Sequence, residues 1–270
     1  MNNFSVLLSL YHKESPFYLR QSLDSIFNQS LLPTEVVLVE DGPLTNELYQ
    51  VIAEYSRQYS ELKVVPLVQN VGLGNALNEG LKHCSNDIVA RMDTDDVAKP
   101  NRFESQMKVF EEHPEYDVVG AWIDEFEDLT SNVISTRKLP ENHEEIYGYA
   151  QKRNPINHPV VMFRKTAVEA AGGYKHFPLF EDYYLWVRML LNGAKFYNIQ
   201  ESLLFFRFSP EMFKRRGGFS YACTEAKFLW HIHRLGMVGL GRTCINVPLR
   251  FVTRVIPNEL RSWIYKKLLR

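Results

Sequence analysis

Ile88-Val-Ala-Arg-Met-Asp-Thr-Asp-Asp-Val-Ala-Lys-Pro100 is the stretch in which we expect the chemistry of this chain. Its first part, Ile88 to Met92, is a short apolar run typical of a buried strand, and three carboxylates follow it: Asp93, Asp95 and Asp96. Carboxylates crowded at a strand end repel one another and lose hydration if the site is partly closed. Mg²⁺ or Mn²⁺ offsets both costs, because hard cations prefer oxygen ligands. A solvated acidic loop is the alternative, and so short a motif alone favours it.

Strands and helices alternate through the first hundred residues. Apolar runs occur at 4–10, 36–41, 63–68 and 87–92, and helical segments are predicted between them at 15–27, 47–59 and 72–81. This alternation, at about 25 to 35 residues per unit, predicts a parallel α/β sheet with right-handed crossovers. Pro66 lies in the third run and marks that strand as an edge strand or a bulged one.

Polar residues follow these strands where a ligand site is expected. Ligands of open α/β sheets bind beyond the carboxyl ends of the strands. Tyr11, Asp41, Asn70 and Asp93 all fall at those ends, which raises the acidic turn above a chance match. The nearby Gly72-Leu-Gly74 lacks the third glycine and the later acid of a dinucleotide fingerprint, which excludes a Rossmann dehydrogenase.

The pattern changes after Pro100. Helices are predicted at 102–112, 144–152, 166–171 and 180–191, and strands at 116–126, 133–139 and 160–164. The loop at 154–159 is rich in turn-forming residues. No internal repeat or low-complexity tract interrupts the chain.

The composition is that of an ordinary globular protein. The 270 residues are 45% hydrophobic, 13% aromatic and 23% charged, which suffices for one large core and argues against disorder. The three cysteines lie far apart, so neither a disulfide framework nor a zinc site is indicated. The start shows no signal-peptide pattern, and no run approaches the roughly 18 apolar residues of a membrane span. We therefore expect a cytoplasmic protein.

Charge is distributed unevenly between the body and the tail. Residues 1–206 hold 18 Lys and Arg against 29 Asp and Glu, whereas residues 207–270 hold 13 against 3. One helix is predicted at 219–236, and a basic amphipathic helix near the end carries Leu260, Trp263, Ile264 and Leu268 on one face. Such a helix indicates peripheral contact with the anionic inner face of the cytoplasmic membrane. Packing on the protein itself, or on a second subunit of a homo-oligomer, is the alternative. A nucleic-acid partner is disfavoured because the body is acidic and no nucleic-acid motif is present.

Seven motifs occur in order along the chain, and together they identify a family. The motifs are Ser5-Val-Leu-Leu-Ser-Leu-Tyr-His12, Val39-Glu-Asp-Gly42, Asn70-Val-Gly-Leu-Gly-Asn-Ala-Leu-Asn-Glu-Gly80, Ala90-Arg-Met-Asp-Thr-Asp-Asp96, Pro100-Asn-Arg-Phe-Glu-Ser-Gln106, His158-Pro-Val-Val-Met-Phe-Arg164 and Glu181-Asp-Tyr-Tyr-Leu-Trp-Val-Arg188. With these motifs the sequence resembles the family 2 glycosyltransferases of bacterial exopolysaccharide, O-antigen and capsule synthesis, with the amylovoran type nearest. The resemblance implies a GT-A fold, a mostly parallel sheet flanked by helices, over residues 1–208. Within it, 1–100 would bind the nucleotide sugar, 101–208 would form the acceptor side and carry the base, and 209–270 would be a basic helical extension.

The resemblance also implies a nucleoside-diphosphate sugar donor, expected to be a UDP-sugar. It assigns Asp41 to the N3–H of uracil, and Asp95 to a Mn²⁺ or Mg²⁺ ion that bridges the diphosphate and acts as a Lewis acid. Asp93 is expected to contact the ribose or the same ion. Asp96 is expected to support the metal ligands or bind sugar. For Arg91, pairing with the acids and binding the donor sugar both remain open. The other residues expected to contact the nucleotide sugar are Ser9, Leu10, Tyr11, Asn70, Gly74 and Thr94.

Family 2 enzymes invert the anomeric centre, so the resemblance implies a general base that activates the acceptor hydroxyl. That base is expected to be Asp182, at a helix start where a carboxylate is stabilised; acidic capping of the first turn is the alternative. His158, Glu181 and Trp186 are expected on the acceptor or phosphate side, with aromatic neighbours suited to sugar rings. A packed loop histidine is the alternative for His158. The expected acceptor is a saccharide or a polyprenyl-diphosphate-linked saccharide, and the enzyme a hexosyl- or N-acetylhexosaminyltransferase.

Two other functions compete with this interpretation. A sugar-nucleotide nucleotidyltransferase would carry a glycine-rich, basic loop after the first strand, and the segment 11–16 lacks the glycines. A degenerate nucleotide-sugar-binding subunit of a polysaccharide assembly complex would have lost the metal or base carboxylates, and both sets are present.

Overall fold

A computed structural model of the chain describes residues 3–208 and 218–255. These residues form two compact units. The sheet unit comprises the described residues of Met1–His176 and Glu181–Arg207, and the helical unit comprises those of Phe177–Phe180 and Phe208–Arg270. Along the chain the sheet unit ends at Arg207. The boundary expected from the sequence, with the basic extension starting at residue 209, stays a prediction.

A nine-stranded sheet forms the core of the described sheet unit. Its strands are β1 (Ser5–Leu10), β2 (Glu35–Glu40), β3 (Leu62–Pro66), β4 (Ile88–Arg91), β5 (Val97–Ala98), β6 (Val118–Phe126), β7 (Val133–Arg137), β8 (Met162–Arg164) and β9 (Phe196–Arg207). Its helices are α1 (Pro16–Phe27), α2 (Asn46–Gln58), α3 (Leu73–His83), α4 (Arg102–Glu112), α5 (His143–Ala150), α6 (Lys165–Ala170) and α7 (Glu181–Leu191). The strand order is β3-β2-β1-β4-β8-β6-β9-β5, and β7 pairs with β6.

The first half of the sheet is the parallel α/β structure that the sequence predicts. Strands β3, β2, β1 and β4 are parallel neighbours, and the strand with Pro66 is the edge strand, as expected. Helix α3 lies close to this sheet because Gly80 has no side chain, and a Cβ there would overlap Leu7 and Val39. The carboxyl ends of β1, β2 and β4 therefore meet at one edge, where Tyr11, Asp41 and Asp93 follow them.

The second half is mixed and corrects two sequence-based assignments. Strand β8 pairs antiparallel with β4, and β6 pairs antiparallel with β8. Strands β6 and β9 are parallel. The strand predicted at 160–164 is shorter, because His158–Val160 form a 3-10 turn around Pro159, whose fixed φ suits a turn. The longest strand, Phe196–Arg207, was not predicted. Its centre is polar and its register with β6 shifts on either side of Trp122, so it shows no unbroken alternation.

Two helices dominate the described part of the helical unit: α8 (Phe219–Arg234) and α9 (Leu240–Val255). The first confirms the helix predicted at 219–236. Buried Glu225 on α8 accepts from Arg254 Nε at 2.8 Å and lies 3.7 Å from an Nη1 of Arg250, both on α9. The predicted helix with Trp263 falls outside the described residues. None of the helices described in either unit is long and apolar enough to cross a membrane.

Candidate active site

Three carboxylates converge in the turn after β4. One oxygen each from Asp93, Asp95 and Asp96 lie within 4.8 Å of one another. Asp93 is bound by both terminal nitrogens of Arg91, which is 1% exposed, with Nη1 donating to Oδ2 at 2.8 Å. Of the two interpretations left open for Arg91, the structure shows the pairing with an acid.

The acidic turn is held by distant parts of the chain. Ser22 Oγ on α1 donates to the Asp93 carbonyl at 3.1 Å. At the end of β9, Arg207 donates its backbone N–H to Asp96 Oδ1 at 2.8 Å and its Nε–H to the Asp95 carbonyl at 2.9 Å. The Arg207 guanidinium also stacks on Tyr18, 3.8 Å from the ring centroid. Sequence reasoning missed Arg207 because it missed the strand that carries it.

A fourth carboxylate, Glu14, faces the same turn. Thr94 Oγ1 donates to Glu14 Oε2 at 3.2 Å, and the Ser15 N–H donates to Oε1 at 2.8 Å. Thr94 is 3% exposed, so its hydroxyl serves this contact within the protein. Burial raises the pKa of Glu14, and the negative charge of Asp93 raises it further. Nothing in the local pattern around Glu14, in a loop eighty residues away, indicates this contact.

The electrostatics of the turn suit a divalent cation. Burial, followed by the charges of Asp93 and Glu14, raises the pKa of Asp95 to about 7. Burial and the same kind of repulsion raise the pKa of Asp96 well above its usual range. The second oxygen of Asp96 is buried without a hydrogen-bond partner in the described structure. A divalent cation bound to these crowded oxygens would displace the protons that the raised pKa values favour and would offset the repulsion between the carboxylates. Oxygen ligands are those that Mg²⁺ and Mn²⁺ prefer, so these residues fit such an ion.

A buried polar network lies against the last residue of β4. Arg102, fully buried on α4, donates from Nη2 to the Arg91 carbonyl at 2.7 Å and from Nε to Gln106 Oε1 at 3.1 Å. Gln106 in turn donates to the carbonyls of Val119 and Val160. Burial and the charge of Arg91 lower the pKa of Arg102 to about 9. The Pro100–Gln106 motif thus fixes the strand end from which the acids project.

Two adjacent carboxylates at the end of β2, Glu40 and Asp41, have different surroundings. Asp41 is 3% exposed and accepts from Val71 N at 2.7 Å, from Asn70 Nδ2 at 2.9 Å and from Gly72 N at 3.2 Å. Its oxygens therefore hold the loop that precedes α3. Glu40 is 8% exposed, burial raises its pKa, and no described residue donates a hydrogen bond to its carboxylate. Sequence reasoning overlooked Glu40, although it lies in the Val39–Gly42 motif.

The remaining residues expected at the nucleotide sit around this strand edge. Ser9 is partly buried, Leu10 is fully buried, and Tyr11 is 41% exposed directly after β1. The Leu10 carbonyl accepts the Asp41 N–H at 2.7 Å, which joins the ends of β1 and β2. Gly74, in the first turn of α3, lies where a Cβ would be 3.4 Å from Tyr174 and 3.6 Å from Glu181. These are ordinary van der Waals distances, so the space at this position would accept a Cβ.

The expected base, Asp182, lies in the first turn of α7. Its Oδ2 accepts from Asn154 Nδ2 at 2.6 Å, and its Oδ1 accepts from the Tyr183 N–H at 2.7 Å. Burial raises the pKa of Asp182, while these two bonds and the charge of Arg91 lower it by less. The result is a carboxylate with raised proton affinity, as a proton acceptor needs. Neighbouring Glu181 lies 3.7 Å from His176 Nδ1.

His158 and Trp186 behave as interior residues. The ring of His158 hydrogen-bonds to the Tyr174 hydroxyl at 2.8 Å and lies 6.0 Å from the Trp186 ring, centroid to centroid. Burial and then the charge of Arg91 lower the pKa of His158 well below its usual range. Trp186 is 0% exposed, so the expectation that it offers a face to the acceptor is wrong. Helix α7, which carries Trp186, is buried on most of its surface, so its large aromatic side chains lie in the core.

Arg91 connects the two groups of carboxylates. Its guanidinium pairs with Asp93, and its charge also lowers the pKa of Asp182. The charge of Arg91 also acts to lower the pKa of His158 and of Tyr174. The arrangement therefore places the carboxylates of the acidic turn and the Asp182 carboxylate around one buried positive charge.

The sequence that carries this site matches known proteins. Residues 5–171 match the family described as Glycosyl transferase family 2. The chain belongs to this family. It is 39% identical over 267 residues, 99% of this chain and 96% of the relative, to UDP-Gal:alpha-D-GlcNAc-diphosphoundecaprenol beta-1,3-galactosyltransferase of Escherichia coli. It is 38% identical over 264 residues, 98% of each chain, to amylovoran biosynthesis glycosyltransferase AmsE of Erwinia amylovora.

Solved structures of glycosyltransferases share the fold. S. aureus TarS 1-349 in complex with UDP-GlcNAc has a TM-score of 0.63 at 17% identity, covering 99% of this chain and 71% of that one. Mannosyltransferase PcManGT from Pyrobaculum calidifontis, in complex with GDP-Man and Mn2+, has a TM-score of 0.62 at 15% identity, covering 93% and 69%. The GT-A fold and the glycosyltransferase class expected from the sequence are thus confirmed.

Proposed function

We propose that this family 2 glycosyltransferase is metal-dependent and inverting, and that it transfers a sugar from a UDP-sugar to a polyprenyl-diphosphate-linked saccharide in bacterial surface polysaccharide synthesis. The observation that carries the proposal is the pair of carboxylate groups around Arg91, the acidic turn at Asp93–Asp96 and the separate Asp182. A nucleotidyltransferase has no evident use for the second group.

The donor is proposed to lie across the strand ends. The Glu40 carboxylate offers the nucleobase a hydrogen-bond acceptor to which no described residue donates. The Asp41 carboxylate instead holds the loop beside it. Tyr11, exposed after β1, provides an aromatic edge or face for the base. Asp93 and Asp95 would hold a divalent cation, and its positive charge would stabilise the departing diphosphate.

The acceptor hydroxyl is proposed to give its proton to Asp182. Asn154 and the Tyr183 N–H fix both oxygens of this carboxylate, so its remaining lone pairs have a defined direction. A base placed on the acceptor side, opposite the leaving group, permits attack in one step and inverts the anomeric centre. The raised pKa of Asp182 increases the driving force for proton transfer.

The substrate class follows from similarity to the Escherichia coli relative, whose name gives UDP-Gal as donor and a GlcNAc-diphosphoundecaprenol as acceptor. That relative is matched along nearly its full length. We therefore propose a UDP-hexose or UDP-N-acetylhexosamine donor and an acceptor sugar carried on a lipid diphosphate.

A binding screen and an assay test this proposal together. UDP-sugars with Mn²⁺ should raise the melting temperature, since a ligand that binds only the folded state stabilises it. A labelled sugar should then move to a GlcNAc-diphosphate lipid. Asp182→Asn should lower turnover by about 10²- to 10⁴-fold with UDP binding retained, while Asp128→Asn, on an exposed loop, should change neither. Binding without transfer in the native protein would favour a binding subunit instead.

A further inference from the structure

Helix α9 leaves an apolar face open to solvent. The exposed fractions are 68% for Ile245, 60% for Leu249, 54% for Val252 and 43% for Val255. Spacings of three and four residues place these side chains on one side of the helix. Apolar faces of helices in soluble proteins normally point into a core, so an exposed one marks an interaction site.

The opposite face of α9 is already used. Thr243 is fully buried there, and Arg250 and Arg254 bind Glu225 of α8. Two of its three arginines and Thr243 are therefore directed to the protein, and the open side presents mainly aliphatic groups. A rotation of α9 that buried the apolar face would break these ion pairs, so the exposure is fixed by the packing of the two helices.

The charge of this region selects the partner. Of the three arginines of α9, Arg250 and Arg254 pair with Glu225, whereas exposed Arg242 lies three residues before Ile245 and so beside the apolar face. The helix contains no acid, and residues 218–255 hold five Lys and Arg against the single acid Glu225. A second copy offering the same face would bring like charges together. An anionic bilayer attracts them and also accepts the aliphatic side chains, which is the pattern of an interfacial helix.

We propose that α9 lies in the interface of an anionic membrane with Ile245, Leu249 and Val252 inserted among the lipids. The inference rests on the proposed function for its purpose, because a lipid-linked acceptor is confined to the bilayer. An enzyme bound to the same surface meets that acceptor at a raised effective concentration. The surface itself is independent of the transfer chemistry and is tested without it.

Co-sedimentation of the full chain with vesicles tests the proposal. The native protein should bind phosphatidylglycerol vesicles and bind phosphatidylcholine vesicles much less. The triple variant Ile245→Asn, Leu249→Asn, Val252→Asn keeps the net charge, and its binding should fall by about tenfold or more because three apolar anchors are lost. The matched control replaces three exposed aliphatic residues elsewhere, Leu32, Leu129 and Ile134, by Asn and should bind as the native chain does.

Two readouts separate the outcomes. Light scattering of both forms reports self-association: a native dimer that the triple variant abolishes, with unchanged vesicle binding, would overturn the proposal in favour of a second copy. Unchanged binding without a dimer would overturn it as well. Transfer to a short-chain, water-soluble acceptor should be unaffected by the triple variant, whereas absence of transfer in every form would count against the proposed function and leave the vesicle result intact.

Discussion

Asn154→Ala should move the acid limb of the pH–rate profile upward. Asn154 Nδ2 donates to Asp182 Oδ2 at 2.6 Å, and this bond stabilises the ionised form of the proposed base. Removing the donor therefore raises the pKa of Asp182. At a pH within the acid limb, a smaller fraction of Asp182 is ionised and the rate falls. At the higher pH of the plateau, Asp182 is ionised in both forms and the rate is retained.

The size of the effect follows from the kind of bond that is lost. A hydrogen bond to a charged group contributes about 1.5 to 3 kcal/mol, and 1.36 kcal/mol corresponds to about one pH unit. The limb of kcat/KM should consequently move by about one to two pH units. The Tyr183 N–H still donates to the other oxygen at 2.7 Å, so the carboxylate keeps one partner and its orientation.

Initial rates with UDP-sugar and acceptor, measured from about pH 5 to pH 9, give the profile. Asn28→Ala, which removes an exposed Asn side-chain bond to the Asp24 carbonyl, should leave the limb in place. Thermal unfolding of both variants checks that they fold. A limb that stays fixed or moves downward in Asn154→Ala, with the fold intact, would show that another group titrates.

Three further predictions concern the donor side. Arg207→Ala should lower turnover by about 10- to 100-fold and reduce the rise in melting temperature caused by Mn²⁺ with UDP, because the acidic turn loses its fixed position. The control Arg164→Ala, whose side chain also binds backbone carbonyls, should change neither quantity. Equal effects of the two variants would contradict the role assigned to Arg207. Glu40→Leu should reduce UDP affinity measured by calorimetry without loss of stability. Asp41→Asn should instead lower the free energy of unfolding in urea by about 1 to 3 kcal/mol, because an amide would face the N–H groups that Asp41 now binds. The reverse pattern would assign binding of the nucleobase to Asp41. Asp95→Asn should abolish the rise in melting temperature that Mn²⁺ produces in chelator-treated native protein with UDP, and an undiminished rise would exclude Asp95 as a ligand.

The parallel half of the sheet was predictable because each of its strands is an apolar run followed by a helix. There, local pattern and tertiary structure agree, so the sequence also located the acids at the strand ends. Strand β9 was not predictable in this way, because its pairing with β6 tolerates a polar centre and two shifts of register. Long-range pairing, rather than local propensity, stabilises that strand.

The site was predictable as a set of acids and less so as an arrangement. Asp93, Asp95 and Asp182 stand in motifs, but the contacts of Glu14 and Arg207 connect segments that no spacing relates. Trp186 shows the opposite error, because an aromatic next to a reactive acid suits a sugar face and a core equally well in sequence. Only the burial of the whole helix α7 decides between them.

The bond between the Arg207 N–H and Asp96 joins residues 111 positions apart. During synthesis, the parallel half of the sheet is complete long before Arg207 leaves the ribosome, while the acidic turn still lacks this hydrogen bond. Contacts of such long sequence separation form late, because loop closure must precede them. We therefore expect the affinity for a divalent cation to arise last, so that incomplete chains recognise the nucleotide before they can carry out transfer.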